Sequence, residues 1–386
     1  MSEKRETQPL ERMSKASRLL PIDALRGLII AFMALDHTNY LVAQKHSPSE
    51  YWGGRFPVYD DALAFLSRLM THPCAPGFFF LMGVGMLLFA SCRRKRGWSE
   101  WAIIRHFLIR GGLLIVLQFL VANRVWEHLP GGSATEVYIG VLFALGGTMI
   151  LGSVLLWLKP GHLLALTVAL FLGTELLHPD PSLWGRIPIS GMDRLNLLLI
   201  RPGGDSNLWS NYPVLPWLEL VTFGMVFGHW LLENARKAFE RAFKLGTAFL
   251  VAFVIIRYLD GFGNIRPRMG NTWIDSLNPV KYPPSITFTL LTTGVNLIIL
   301  GLLGRVNERL QRFFQPLVVF GQASLFFYLI HLFLYAALGH LLTPNGTSIP
   351  AMYPYWLLGL AILYPLCLWY GQLKHRQPAN SILRFF

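Results

Sequence analysis

The sequence predicts an all-α protein, a polytopic membrane helix bundle with about ten transmembrane helices and both termini in the cytoplasm. The chain has 386 residues, of which 53% are hydrophobic and only 14% are charged. Its mean hydropathy is +0.44. Long apolar segments recur along the chain, and Lys and Arg cluster between them. This composition is typical of membrane proteins, whereas a soluble enzyme of this size carries more charge.

The apolar segments supply the predicted helices. A helix that crosses a bilayer needs about 20 mostly apolar residues, and several of the segments are interrupted by Gly or Pro. No internal repeat and no soluble second domain are evident. The ten segments lie near residues 22–43, 66–92, 107–123, 137–158, 161–177, 213–232, 245–262, 285–303, 316–342 and 351–372.

The distribution of positive charge predicts the topology. With a cytoplasmic N-terminus, the loops on the cytoplasmic side hold most of the loop Lys and Arg residues, as the positive-inside rule requires. The net charge of +13 therefore reflects topology and does not indicate nucleic-acid binding. We expect a cytoplasmic tail over residues 1–18, a transmembrane domain over 19–372 and a second cytoplasmic tail over 373–386. Residues 1–18 are polar, so no cleavable signal peptide is expected.

The cysteines and the known short motifs exclude several kinds of site. Cys74, Cys92 and Cys367 are far apart and show no CxxC spacing, so they are expected to pack as small hydrophobic residues. The sequence has no HExxH, no phosphate-binding GxxxxGK[ST], no GxSxG and no complete GxGxxG. No metal is expected.

Polar residues interrupt the outer halves of two predicted helices. Asp36 and His37 lie together in "MALDHTNY" of the first segment, and Arg68 and His72 lie near the outer end of the second. The "PCAP" that follows can break the second helix and turn its backbone groups toward a cavity. Ionisable groups inside a membrane usually face a cavity and serve function. The alternative is a buried polar pair that only fixes helix packing.

The ninth segment places a tyrosine and a histidine at a similar depth in the membrane. Tyr328 precedes His331 by three residues, so both side chains share one face of the helix. His340 lies closer to the outer end. Three helices thus present histidines at middle to outer depth, and we interpret Tyr328 and His331 as candidate site residues.

Two further pairs stand at the ends of helices. Asp23 and Arg26 are three residues apart at the inner end of the first segment. They form either a local ion pair that anchors the helix or a site for a phosphate, which suits the guanidinium. Lys281 and Tyr282 precede two prolines and are expected to project over the outer mouth, where they bind substrate or simply form a surface turn.

Five stretches carry a resemblance to a known family. In order they are "RLLPIDALRGLIIAFMALDH", "THPCAPGFFFLMGVG", "YPVLPWLELVTFGMVFGHW", "NPVKYPPSITFTLLTTG" and "GQASLFFYLIHLFL". They resemble the bacterial membrane proteins grouped with the catalytic domain of heparan-alpha-glucosaminide N-acetyltransferase. The resemblance spans residues 18 to 342. It implies a transmembrane acyltransferase domain that takes acetyl from cytosolic acetyl-CoA and gives it to a sugar across the membrane.

The resemblance also implies site residues. His37 falls where the lysosomal enzymes have an active-site Asn, and His46 falls close to their catalytic His. His72 falls where those enzymes have an Asp, while Tyr328 and His331 match the ninth-helix pattern. Together with the polar positions described above, this makes Asp36, His37, His46, His72, Tyr328 and His331 the catalytic candidates. Asp23 and Arg26 would bind the donor, and Arg68, Lys281 and Tyr282 would bind the acceptor.

Acetyl transfer needs a base, and His is the usual choice because its pKa lies near working pH. The function expected is therefore an acyltransferase acting on an extracytoplasmic sugar amine or hydroxyl, in the bacterial inner membrane. Its expected partners are membrane lipid and a glycan or amino sugar, with no nucleic acid, and it is a possible homodimer. Two alternatives stay open. A proton-coupled transporter would use the same polar residues as a relay, and a scaffold of envelope assembly would need no chemistry.

Overall fold

The chain folds into helices wherever the sequence is continuously apolar. The computed structural model describes residues 20–47, 49–59, 61–127, 137–178, 191–306, 313–378 and 381, and these residues are mostly helical. The predicted N-terminal tail and the end of the predicted C-terminal tail lie outside the described residues.

The first part of the described chain contains eight helices and one strand. Two five-residue π-helical stretches, at Asn39–Ala43 and Gln118–Ala122, continue the first and fourth helices. The elements are α1 Leu20–Thr38, α2 Ala62–Thr71, α3 Cys74–Lys95, α4 Glu100–Leu117, α5 Asn123–Glu127, β1 Val137–Ile139, α6 Val141–Leu155, α7 Pro160–Leu176 and α8 Gly191–Leu199.

The second part begins with two short strands, and seven helices joined by loops follow in its described residues. β1 pairs in parallel with β3, and β2 pairs antiparallel with β3, so the sheet order is β1-β3-β2. The elements are β2 Gly203–Gly204, β3 Leu208–Ser210, α9 Val214–Glu233, α10 Ala235–Leu259, α11 Trp273–Ser276, α12 Ile286–Leu303, α13 Gln315–Gln322, α14 Ser324–Leu342 and α15 Ile349–Arg376.

Within the described residues, seven helical stretches are long and apolar enough to cross a membrane. The chain is therefore a multipass integral membrane protein. Helices also lie in all ten predicted segments, although α6 and α7 are shorter than 18 residues; the count of ten crossings stays a prediction. The seven stretches are Ala62–Lys95, Glu100–Trp126, Val214–Glu233, Ala235–Leu259, Ile286–Leu303, Ser324–Leu342 and Ile349–Arg376.

Two predicted details of the outer side were wrong. The segment predicted as helix from residue 137 begins with β1, and the helix α6 starts only at Val141. Lys281 and Tyr282 do not project over the outer mouth, because both are buried, with 5% and 6% of their surface exposed. Hydropathy could not show either, since both result from pairing between distant loops.

The break between α2 and α3 lies where the sequence predicted it. Helix α2 ends at Thr71, and α3 begins at Cys74 after His72 and Pro73. Pro73 has no N–H to continue the helical ladder. Its carbonyl accepts hydrogen bonds from Gly77 N–H of α3 and from Asn296 Nδ2 of α12, both at 2.9 Å. The break therefore holds His72 inside the bundle.

Glycines let the helices approach closely. A Cβ on Gly27 of α1 would collide with the Leu317 carbonyl of α13, and a Cβ on Gly321 would collide with the Asp23 carbonyl. Small residues at such contacts are usual between membrane helices, where backbone packing replaces the hydrophobic effect. This contact fixes the N-terminal end of α1 against α13. We call this end of α1 its inner end and the opposite end its outer end, after the topology that the sequence predicts.

Two loops that the sequence predicts on the outer side pack together at one end of the bundle. The backbone N–H groups of Lys281 and Tyr282 both donate to the Glu50 carbonyl, at 2.9 and 3.0 Å. Trp52 N–H donates to the Tyr282 carbonyl at 2.9 Å, and Tyr51 forms a bridge with Tyr282. These hydrogen bonds hold Glu50 close to Arg68 of α2 and to His72.

Candidate active site

The outer end of α1 presents two neighbouring polar side chains to different partners. Consecutive residues of a helix point about 100° apart, so Asp36 faces α2 while His37 faces α14. His37 Nδ1 lies 2.6 Å from His331 Nε2, and the two rings are nearly parallel, with an angle of 15° between them. The structure thus joins two histidines that lie 294 residues apart in sequence.

The hydrogen bonds of this histidine pair assign its tautomers. His331 Nδ1 lies 3.0 Å from the Phe327 carbonyl, which can only accept, so Nδ1 carries a proton. In the neutral ring, His331 Nε2 is then an acceptor, and the proton between the rings belongs to His37 Nδ1. His37 Nε2 is left with its lone pair. The pair therefore places a proton acceptor beside Asp36.

Aromatic rings surround His37. Trp126 of α5 stands edge-on to His37 with ring centroids 5.4 Å apart, and edge-on to Tyr40 at 5.0 Å. Tyr328 lies against His331 at 5.6 Å, on the shared helix face that the sequence predicted. These rings give the His37 imidazole a mostly apolar surrounding.

An ionic cluster occupies the other side of α1. Arg68 Nη1 donates to Asp36 Oδ1 at 2.6 Å, and Thr71 Oγ1 donates to the same oxygen at 3.0 Å. His46 Nε2 lies 3.5 Å from that oxygen and 3.1 Å from Arg68 Nη1. Asp36 is thus paired with Arg68, and not with its neighbour in sequence, His37.

Glu50 is a member of the cluster that sequence reasoning missed. Its two carboxylate oxygens accept from Arg68 Nε and Nη2 at 2.8 and 2.6 Å, and Oε1 also lies 3.2 Å from His72 Nε2. Glu50, Arg68 and His72 are all buried, at 3% exposure or less. No sequence signal identified Glu50, because the polar stretch "QKHSPSEYWGG" is typical of a solvated loop.

The electrostatics of Glu50 follow from this burial. Burial alone would raise the pKa of the Glu50 carboxyl, but the Arg68 and His72 groups that contact it outweigh burial and hold that pKa well below its usual range. Glu50 therefore stays ionised and shares the Arg68 charge with Asp36. This sharing locks the guanidinium in one orientation.

Lys281 and Tyr282 lie next to this cluster rather than over it. Lys281 Nζ sits 5.1 Å from the centre of the Tyr282 ring, and among the described residues no carboxylate lies within 4 Å of it. Tyr282 and Tyr212 join their hydroxyls at 3.0 Å. Burial raises the pKa of both phenols, so both keep their protons as hydrogen-bond donors.

The inner end of α1 carries the predicted donor residues, well separated from the outer groups. Arg26 Nη1 donates to Asp23 Oδ1 at 3.0 Å and approaches the Gly321 carbonyl at 3.4 Å. Arg110 of α4 lies close enough for its charge and that of Arg26 to repel. Its buried Nε has no hydrogen-bond partner in the described part of the chain. The sequence had assigned Arg110 no role.

The predicted residues thus fall into three groups. The first group is the outer pair, His37 and His331, with Tyr328 against it. The second is the outer ionic cluster of Asp36, His46, Arg68 and His72, with Lys281 and Tyr282 beside it. The inner group is Asp23 and Arg26. In the described residues, no set of three or more His, Cys, Asp or Glu side chains is arranged to hold a metal ion.

Comparison with known families agrees with the resemblance seen in the sequence. The profile of the family described as heparan-alpha-glucosaminide N-acetyltransferase, catalytic, matches residues 18–257, more than half of the chain. The chain belongs to this family. The match covers α1 to α10 and so includes the inner group and most of the outer cluster, while His331 lies beyond it. No curated protein matches the sequence. A heparan-alpha-glucosaminide N-acetyltransferase domain indicates a membrane acetyltransferase.

Proposed function

We propose that this protein moves an acetyl group from cytosolic acetyl-CoA to an amine or hydroxyl of an extracytoplasmic sugar or glycan. The observation that carries the proposal is the His37–His331 pair, whose hydrogen bonds leave His37 Nε2 as a proton acceptor. In this proposal ten helices cross a bacterial inner membrane, and both termini are cytoplasmic. Family membership and the apolar helices support a membrane acetyltransferase.

The donor enters from the inner end of α1. Arg26 and Arg110 supply two cations for its phosphates, and the unpaired Nε of Arg110 fits an anion that the protein itself does not provide. Arg26 and His37 are eleven residues apart on one helix, a rise of about 16 Å. An extended pantetheine arm can span such a distance and bring the thioester to the outer pair.

His37 acts as the base. Its Nε2 takes the proton of the acceptor as the acceptor attacks the acetyl carbon, and His331 stabilises the resulting imidazolium through the 2.6 Å bond. Tyr328, beside His331, donates toward the developing oxyanion. His72 and His46 are positioning residues, since Glu50 and Arg68 occupy their Nε2 atoms.

Asp36 and Arg68 position the acceptor. Asp36 Oδ1 accepts from Arg68 and Thr71, which leaves Oδ2 to accept from an acceptor hydroxyl next to His37. Trp126 and Tyr40 provide the stacking faces. Lys281 and Tyr282 border this space from beside the ionic cluster.

The test is acetyl-CoA turnover by the purified protein in nanodiscs, measured as thiol release with and without amino sugars and envelope glycans. We expect acceptor-dependent release that His37→Ala abolishes and that His340→Ala, a change at an exposed histidine of α14, preserves. A folded protein that binds no CoA, or a His37→Ala variant with normal turnover, contradicts the proposal. Proton-coupled solute uptake without CoA would instead favour the transporter.

A further inference from the structure

Tyr138 of β1 carries a hydroxyl that the proposed mechanism does not use. Its Oη accepts a hydrogen bond from Asn211 Nδ2 at 3.0 Å. The orientation of the Asn211 amide is fixed from its other end, because Trp209 Nε1–H can only donate and lies 2.8 Å from Asn211 Oδ1. Asn211 therefore presents its NH2 group to Tyr138, and the Tyr138 hydroxyl must donate its own proton elsewhere.

This proton has no acceptor in the part of the chain that the structure describes. There, Asn211 is the one hydrogen-bond partner of the Tyr138 hydroxyl. The Tyr138 side chain is only partly buried, so a ligand can reach it. A phenol that accepts one hydrogen bond and still has a proton to donate is suited to a ligand that brings an oxygen atom.

Hydrogen bonds to α5 place Tyr138 near the outer pair. Asn123 Nδ2 of α5 donates to the Tyr138 carbonyl at 3.1 Å. Trp126 follows Asn123 by three residues on the same short helix and stands edge-on to His37, with ring centroids 5.4 Å apart. The backbone of Tyr138 is thus attached to the helix that borders His37.

A second set of contacts connects Tyr138 to the ionic cluster. Asn211, which orients the Tyr138 hydroxyl, is followed in sequence by Tyr212, whose hydroxyl lies 3.0 Å from that of Tyr282. The N–H of Tyr282 donates to the Glu50 carbonyl at 3.0 Å, and the Glu50 carboxylate binds Arg68. Tyr138 therefore lies between α5 and the loops that hold the ionic cluster.

These contacts form a closed circle around the outer site. Arg68 also binds Asp36, the residue before His37, so the contacts that leave α1 at His37 return to α1 at Asp36. Tyr138 is the residue at which the two halves of the circle meet. It also lies close enough to Tyr328 for the two phenols to interact electrostatically.

We propose that Tyr138 is an acceptor-binding residue whose hydroxyl donates to a hydroxyl oxygen of the acceptor sugar; this inference rests on the proposed function. A neutral donor of fixed orientation can hold a sugar whether its reacting group is an amine or a hydroxyl. Tyr138 takes no part in making or breaking bonds. Its loss should therefore weaken binding of the acceptor and leave binding of acetyl-CoA unchanged.

Tyr138→Phe removes the hydroxyl and keeps the ring. In thiol-release assays in nanodiscs, the KM for methyl glucosaminide or methyl glucoside should rise roughly three- to tenfold, with kcat and the KM for acetyl-CoA unchanged. Tyr258→Phe, at a tyrosine of α10 that is 78% exposed, should change none of these constants. An unchanged acceptor KM in folded Tyr138→Phe overturns the inference and leaves the proposed acetyltransferase standing. No acceptor-dependent release by the wild type overturns both.

Monodeoxy acceptors separate a direct contact from a structural role. The wild type should bind one deoxy sugar more weakly than its parent, because that sugar lacks the oxygen to which Tyr138 donates, and Tyr138→Phe should bind the two sugars equally. Asn211→Ala keeps the Tyr138 hydroxyl but removes the group that orients it, so the difference should shrink there as well. This second variant serves as the test if Tyr138→Phe does not fold. A difference of the same size in the wild type and in the folded variants would show that Tyr138 does not contact the acceptor.

Discussion

Replacement of His331 by Leu tests the histidine pair without touching the proposed base. His331 is fully buried, and Leu fills a similar volume with no polar group. Phe327 O keeps its helical acceptor role, because the backbone N–H four residues later still reaches it. We therefore expect the variant to fold.

The size of the effect follows from the bond that is lost. During proton transfer His37 becomes charged, so the 2.6 Å bond to His331 becomes charge-assisted. Such bonds are worth about 1.5–3 kcal/mol, and each 1.36 kcal/mol changes the rate about tenfold. We predict a fall in kcat of roughly 10- to 160-fold. His37→Ala, which removes the base, should cost roughly 10²- to 10⁴-fold.

The assay is steady-state thiol release in nanodiscs at saturating acetyl-CoA and acceptor. His340→Leu is the matched control, since His340 lies exposed on the same helix and should retain wild-type kcat. An equal fall in His340→Leu would assign the effect to helix stability. A folded His331→Leu protein with wild-type kcat would refute the assignment of tautomers and the role of His37 with it.

Three further predictions concern the other groups. Arg110→Gln should raise the KM for acetyl-CoA about tenfold or more with kcat little changed, whereas Arg236→Gln, with 90% of that side chain exposed, should not. Glu50→Gln should lower the free energy of unfolding by about 3–5 kcal/mol at neutral pH, because it leaves Arg68 underpaired. The pKa of Glu50 is lower in the folded protein than its ordinary value of 4.5. The stabilisation that Glu50 provides is therefore complete above pH 4.5 and is lost as the pH falls through the folded pKa. Thermal melts should show the stabilities of the wild type and of Glu50→Gln converging in acid. Trp126→Ala should raise the KM for a sugar acceptor about tenfold or more, and an unchanged KM would remove Trp126 from the acceptor site.

The sequence could predict the helices because the bilayer demands long apolar segments. It also predicted the break near Pro73, because proline cannot continue the hydrogen-bond ladder. The three-stranded sheet escaped prediction. Its strands are two or three residues long, and β1 pairs with β3 across the intervening helices α6 to α8.

The sequence could predict which residues lie at the depth of the candidate site, but not which of them contact each other. Asp36, His37, His72 and His331 stood out because ionisable residues are costly in a membrane. The contacts between these residues depend on how each helix is rotated about its axis and on how the loops pack. A single sequence gives no information on either. Glu50 shows the limit most clearly, since it comes from a polar loop that is held in place by hydrogen bonds to the distant residues Lys281 and Tyr282.

Transfer across the membrane is the central claim, and sealed vesicles test it most directly. The protein is reconstituted into vesicles loaded with labelled acetyl-CoA, and a membrane-impermeant glucose or glucosamine oligomer is supplied only outside. The account predicts label on the outside oligomer, dependent on the protein and lost with His37→Ala. Label that appears only when donor and acceptor share one side of the membrane would contradict it.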